Sequence, residues 1–447
     1  MPRGPKTTEW FERARKVMVH GVSSGFRYWG EHDTPVVAAG KGAHIWDMDG
    51  RRYIDYQLGF GPVILGHGDE YVVERVCRAA SQGTVFALTQ QIEVEAAEKV
   101  MSALKWPAAM RFTNTGTEAT MHAIRLARGW GARDLILKFE GAYHGAHDYV
   151  LYSTAGAPAA HLGSRLRPVP WQASSGIPDS IRTFIATLPY NDTELVEEFF
   201  DDHGHELAAV IVEPMAGNFL GVLPEPGFLE TLRRLCDENE VVLIFDEVKT
   251  GFRLGLGGAV EAFGVVPDLA TYAKAMGNGF PVAAIALSEK MVEGWAMGGI
   301  TQAGTYSGNS VAAAAALATI ERLEEGDAYD RIEKAGTALM AGIRAILDER
   351  GYPGCVVGHP AMFSVFFGEG TPREYRDLVR HDARVYNATI MAMIDRGVMP
   401  CPDAREPWFI CAAHSEEDVT RTLEVFSDAF DETLARAGSL RSVGEDE

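Results

Sequence analysis

Three short apolar runs in the middle of the chain, Leu135 to Phe139, Ala208 to Val212 and Val241 to Phe245, constrain the fold more than any other feature. Each is bounded by polar or turn residues, the pattern of a strand in a sheet covered on both faces. Between them lie helical periodicities: Ile92, Ala96, Val100 and Leu104; Leu195, Val196, Phe199 and Phe200; Phe228, Leu232, Leu235 and Cys236. Strands alternating with amphipathic helices imply an α/β domain. Its expected extent is residues 60–324. After about residue 325 the pattern changes. A long amphipathic helix (Tyr329, Ile332, Leu339, Ile343, Leu347) precedes strand-like Met362 to Phe367, a further helix, strand-like Trp408 to Ala413, and a last helix with Val419, Leu423, Phe426 and Phe430. Residues 325–447 are therefore expected to form a smaller α+β domain. Residues 1–59 carry a strand-turn-strand around Asp49-Gly50, a hairpin signal, and are expected to join it.

Composition narrows the function. Forty-one Lys and Arg against 62 Asp and Glu give a net charge of −21, which argues against a nucleic-acid partner, since phosphates call for a basic face. The five scattered cysteines contain no CxxC pair, so neither a disulfide framework nor a zinc knuckle is readable. Residues 1–21 have no apolar core of a secretory signal, and the longest apolar stretch, Val311 to Ile320, falls far short of the roughly 20 residues of a bilayer span. A cytoplasmic location with no membrane partner is expected.

Ligands of an open α/β sheet bind beyond the carboxyl ends of its strands. Here those ends read Asn114-Thr115-Gly116-Thr117-Glu118, Glu140-Gly141-Ala142-Tyr143-His144-Gly145, Glu213-Pro214 and Asp246-Glu247. The first opens a helix, and Gly116 and Thr117 beside unpaired N–H groups suit a phosphate, although a Thr N-cap alone accounts for the same residues. Asp246 follows a wholly apolar strand. It either caps neighbouring backbone or meets a protonated ligand nitrogen. Lys274, among small and apolar residues, is placed for a lowered amine pKa and imine chemistry; an ordinary lysine would be a solvated surface charge. Two other classes fit less well. Gly255-Leu256-Gly257-Gly258 lacks the spacing of a dinucleotide loop, and His144, His147 and Asp148 form no complete metal cluster, so no metal is expected.

The chain resembles the class III pyridoxal-phosphate-dependent aminotransferases, and among them the glutamate-1-semialdehyde 2,1-aminomutase-like group. The matching stretches are Asn114 to Ala119, Tyr143-His144-Gly145, Glu213-Pro214, Phe245-Asp246-Glu247-Val248, Thr250-Gly251-Phe252-Arg253, the Lys274 segment and Gln302-Ala303-Gly304-Thr305. The resemblance implies fold type I, pyridoxal 5′-phosphate as cofactor, and a homodimer with shared active sites. Lys274 would form the imine with the cofactor aldehyde and shuttle protons as general base and acid. Asp246 would pair with the pyridinium nitrogen, Tyr143 and Val248 would cover the two ring faces, and Gly116 and Thr117 would bind the phosphate with Thr305 of a second subunit. His144 belongs to the matched cofactor motif, and Glu213 and Asn218 would lie near the ring hydroxyl or behind Asp246.

On the substrate side Arg27 and Arg405 are candidates for a carboxylate, with Phe60 and Glu406 beside them. The sequence departs from the aminomutase pattern at Gly25, Phe60, Asn278 and Ser310. These departures point to an intermolecular aminotransferase passing an amino group from a β-amino acid or other amine to pyruvate or 2-oxoglutarate. The intramolecular aminomutase is the alternative.

Overall fold

A computed structural model describes residues 4–297 and 299–442. Seven strands form the central sheet, in the spatial order Ala109–Thr113, Ala283–Leu287, Leu269–Tyr272, Val242–Glu247, Leu207–Val212, Leu135–Phe139 and Ile185–Leu188. Ala283–Leu287 runs antiparallel to both neighbours, and every other pair is parallel. This is the mainly parallel α/β sheet expected. Successive side chains along its strands enter different cores. Ile211 and Ile244 pack with Ala123, Ile124 and Ala127 of the helix Gly116–Gly131, whereas Val210, Val212 and Phe245 face the opposite core with Phe228 and Leu232 of the helix Phe228–Glu238. With both faces covered, strands such as Leu207–Val212 are buried at every residue, which is why they carry no polar alternation.

The apolar stretch around Val311 to Ile320 is the helix Ser310–Glu325, whose six alanines are all buried. Small side chains let it lie close against the helices Glu70–Gln82 and Gln91–Leu104. Among the described residues no helix is long and apolar enough to cross a membrane.

Residues from the two ends of the chain share a second sheet. Val37–Lys41, His44–Asp47 and Arg52–Asp55 are antiparallel, and Val398–Met399 joins the last of them in parallel. The turn at Gly50 (φ +86°) is fixed by Asp47, whose Oδ1 accepts from the N–H groups of Asp49 (3.0 Å) and Arg51 (2.9 Å). A third sheet holds Gly354–His359, Met362–Phe367 and Trp408–Phe409. The strand expected over Trp408 to Ala413 is only those first two residues. Beyond them the chain crosses between elements: Ile410 N–H donates to Ala361 and Ala412 N–H to Ile64, so no continuous ladder forms.

Arg253 ties these parts together. Fully buried at the end of the turn that follows Val242–Glu247, it donates to the carbonyls of Ala361 (3.1 Å), Ile410 (2.9 Å) and Gly61 (2.5 Å). Burial lowers its guanidinium to about 10. Arg253→Ala would strand three carbonyls and leave a cavity, with an expected loss of about 3 kcal/mol. The check is a lower urea midpoint at unchanged slope.

Candidate active site

Lys274 follows the strand Leu269–Tyr272 with one residue between, in left-handed backbone at φ +44°, a strained conformation of the kind that clusters at functional sites. Its amine has no hydrogen-bond partner among the described residues. Desolvation first, and the charge of Lys249 second, lower it to about 7. The side chain is half-buried and open to a cavity of about 160 Å³.

Asp246 lies in the same cavity. Its Oδ1 accepts from the Val248 N–H (3.1 Å) and the Thr271 hydroxyl (3.1 Å), and its Oδ2 meets His144 Nδ1 at 2.7 Å. A carboxylate at the end of an apolar strand is thus met by three donors, with His144 protonated on Nδ1. His144 Nε2 is buried with no hydrogen-bond partner among the described residues. The Tyr143-His144 loop is held from the next strand end. Glu213 accepts from the Tyr143 N–H (2.9 Å) and from the Asn218 amide (2.8 Å) and N–H (3.2 Å). Burial raises the Glu213 carboxyl and the Tyr143 phenol above their ordinary values.

The other wall is the N-terminus of Gly116–Gly131. Thr115 caps it by accepting from Glu118 N–H (3.1 Å), and the N–H groups of Gly116 and Thr117, which line the cavity, have no hydrogen-bond partner among the described residues. A Cβ at Gly116 would come within 2.8 Å of Val248, and one at Gly145 within 2.8 Å of Thr117 Cα, so both glycines keep this floor clear. The Thr117 hydroxyl accepts from Ala146 N–H at 3.2 Å. These features fit pyridoxal phosphate: a helix N-terminus for the phosphate, a carboxylate for the ring nitrogen, a carboxyl and amide pair, and a free amine for the carbonyl.

Tyr143 lines this cavity, and its neighbour Phe26 lines a wider one of about 880 Å³. Its ring lies 6.1 Å from Phe26, edge to face, and Phe26 lies 6.3 Å from Phe60. Phe60 is held at φ +70° between Gly59 and Gly61, both also left-handed. Phe60, Arg405 and Glu406 line the wider cavity. Arg405 is already committed, bonding Asp403 through Nε (2.8 Å) and Nη2 (2.6 Å) and donating to the Ala155 carbonyl. Arg27 and Thr305 are both exposed, and neither lines either cavity.

Two buried lysines escaped the sequence reading. Lys138 donates to the carbonyls of Phe139 (3.3 Å), Ala142 (3.1 Å) and Tyr152 (2.6 Å), fixing the backbone just before Tyr143. Lys249 donates to the Gly217 carbonyl (2.8 Å) and pairs with Glu406 at 2.7 Å. The one available signal was position: each lysine sits in or directly after an apolar strand.

Fold and cavity together describe an enzyme that holds a phosphorylated cofactor with a basic ring nitrogen and a carbonyl. The family description "Aminotransferase class-III" matches residues 29–429, and the chain belongs to that family. It is 41% identical over 426 residues to a glutamate-1-semialdehyde 2,1-aminomutase of Desulfitobacterium hafniense (strain Y51), covering 95% of this chain and 97% of that one. The crystal structure of an omega-transaminase from Sphaerobacter thermophilus superimposes with a TM-score of 0.90 at 30% identity, over 96% of this chain and 98% of that one. The FumI protein of Sphingopyxis sp. MTA144, solved in its PLP internal aldimine form, gives a TM-score of 0.85 at 28% identity over 98% of each chain. The protein is a fold type I enzyme whose cofactor is pyridoxal 5′-phosphate.

Because the neutral amine is the nucleophile, carbonyl capture by Lys274 in the apoprotein should rise with pH around a midpoint near 7, against 10.5 for an unperturbed lysine. Stopped-flow measurement of aldehyde uptake across pH 5 to 10 (roughly the span between His and Lys titration) checks this. A midpoint near that of free lysine would contradict the desolvation described above.

Proposed function

We propose that this enzyme moves an amino group within a single small substrate of the glutamate-1-semialdehyde type. The convergence of Lys274, Asp246, Glu213 and the Gly116–Thr117 helix terminus on one cavity carries the amino-transfer reading. Near-full-length identity of 41% to a named aminomutase favours the intramolecular form. That reverses the preference drawn from the sequence departures, and two of those departures have structural work to do. The Asn278 side chain accepts from Leu65 N–H (3.0 Å) and donates to the Gly66 carbonyl (3.2 Å). The Ser310 hydroxyl is bonded to the Gly83 carbonyl (2.7 Å) and Gln90 Oε1 (2.6 Å). Neither needs a new substrate to explain it.

When bound, the cofactor ring supplies an electron sink for the negative charge left on a substrate carbon. Lys274, with its amine near 7, takes a proton from that carbon and returns one to the position that exchanges the amino group. Asp246, fixed by His144 and Thr271, holds the proton on the ring nitrogen. Gly116 and Thr117 would bind the phosphate, and Val248 and Tyr143 would cover the ring, with Phe26 set edge to face against Tyr143 and Phe60 against Phe26. Glu213 and Asn218 fix the Tyr143 backbone beside the ring hydroxyl. The exposure of Thr305 supports its contributing to the phosphate site of a partner subunit in a homodimer.

One observation supports the intermolecular alternative. The wider cavity, lined by Phe26, Tyr28, Trp29 and Phe60, is roomier than a five-carbon substrate needs and suits a bulky amine or β-amino acid donor. Glutamate 1-semialdehyde supplied alone should be converted to the isomer with the amine on C1 and the ketone on C2, with no keto acid added. Turnover that instead required a β-amino acid and pyruvate would select the alternative. In either case Lys274→Ala should abolish turnover. Asp246→Asn should slow it by orders of magnitude, each factor of ten being about 1.4 kcal/mol of barrier.

A further inference from the structure

Both arginines that the sequence offers for a substrate carboxylate are poorly placed for it within one subunit: Arg405 is forked onto Asp403, and Arg27 lines neither cavity. The inner cavity has another cation. Lys249 is 6% exposed and lines the cavity beside Lys274. Its alkyl stem crosses Gly217, where a Cβ would sit 2.8 Å from Lys249 Cδ. An ammonium has three donors. Two are used, on the Gly217 carbonyl and Glu406; the third has no hydrogen-bond partner among the described residues, and the ammonium lies 5.8 Å from the centroid of the Phe409 ring.

Glu406 belongs to the other side of the wall. It lines the wider cavity, lies in the irregular segment between Val398–Met399 and Trp408–Phe409, and bonds through Oε2, leaving Oε1 with no hydrogen-bond partner among the described residues. The pair therefore stands between the two cavities, with its acid on the outer face and its ammonium on the inner. A buried ammonium cannot lose its counter-charge cheaply, so Glu406 gives way only to another anion, and a substrate carboxylate matches its charge and its acceptor geometry.

We infer that Lys249 is the receptor for the substrate carboxylate in this active site, and that Glu406 holds its place until a substrate arrives. Once exchanged, Glu406 is left on the outer face, where it lines the wider cavity. The favoured substrates are amines and amino carbonyl compounds that carry a carboxylate. The inference rests on the amino-transfer reading of the cavity and is indifferent to the choice between intramolecular and intermolecular transfer.

Calorimetric titration of the holoenzyme with pentanoate and with its uncharged analogue pentanamide tests it without turnover. The native enzyme should prefer the acid. Lys249→Met should weaken pentanoate tenfold or more and leave pentanamide unchanged. Glu406→Gln keeps the ammonium but removes its competitor, and should tighten pentanoate several-fold. Equal affinity of the native enzyme for acid and amide overturns the inference. So does loss of pentanoate binding in Arg27→Ala with Lys249→Met unaffected, or weaker pentanoate binding in Glu406→Gln. Should Lys249→Met fail to fold, the Glu406→Gln result decides. Failure to isomerise glutamate 1-semialdehyde would count against the proposed reaction and leave these affinities untouched.

Discussion

The carboxylate of Asp246 is the group around which the site is built. A charge at the end of a buried apolar strand is costly unless donors meet it, and here they come from three directions: His144, Thr271 and the Val248 backbone. Each donor brings a piece of the site with it. His144 fixes the loop bearing Tyr143, Thr271 belongs to the strand that delivers Lys274, and Val248 packs against Gly116 at the start of the helix Gly116–Gly131. Satisfying one buried anion therefore sets the relative positions of ring face, amine and helix terminus.

Around that centre the electrostatics are graded by burial. Lys274 is held near neutrality because it is desolvated and faces a second lysine, while the Glu213 carboxyl is raised by the same desolvation. Lys138, also lowered to about 7 and enclosed by three carbonyls, stiffens the turn that leads into Tyr143. Nearby, Glu140 forks onto Arg376 at 2.8 Å through both oxygens, binding a late segment of the chain to this early strand.

How much could be read in advance depended on how local each cause was. Leu135–Phe139 and Leu207–Val212 declared themselves because double-sided burial removes polar alternation, and Asp246 and Lys274 stood out as charges beside such runs. Ala283–Leu287 did not, since Ala-Ala-Ile-Ala-Leu reads as readily as helix and becomes a strand only between two partners. The helix Pro5–Val17 is charged and largely exposed, and buries only Thr7 and Phe11, so its apolar signal was faint. Trp408 to Ala413 had the composition of a strand but not the neighbours of one. The role of Lys249 was hidden for a different reason: its partner Glu406 lies 157 residues further along the chain, so nothing near it in sequence announces a buried pair.

The sheet shared by Arg52–Asp55 and Val398–Met399 has a consequence for how the molecule is made. Its first three strands leave the ribosome early, but their parallel edge partner lies about 340 residues later. At ordinary elongation speeds that is a delay of roughly 20–70 s. Through that interval an unpaired edge stands open to other nascent chains. That sheet is completed only when Val398–Met399 arrives to pair with Ile54 and Asp55, so its edge is shielded late in synthesis relative to its neighbours.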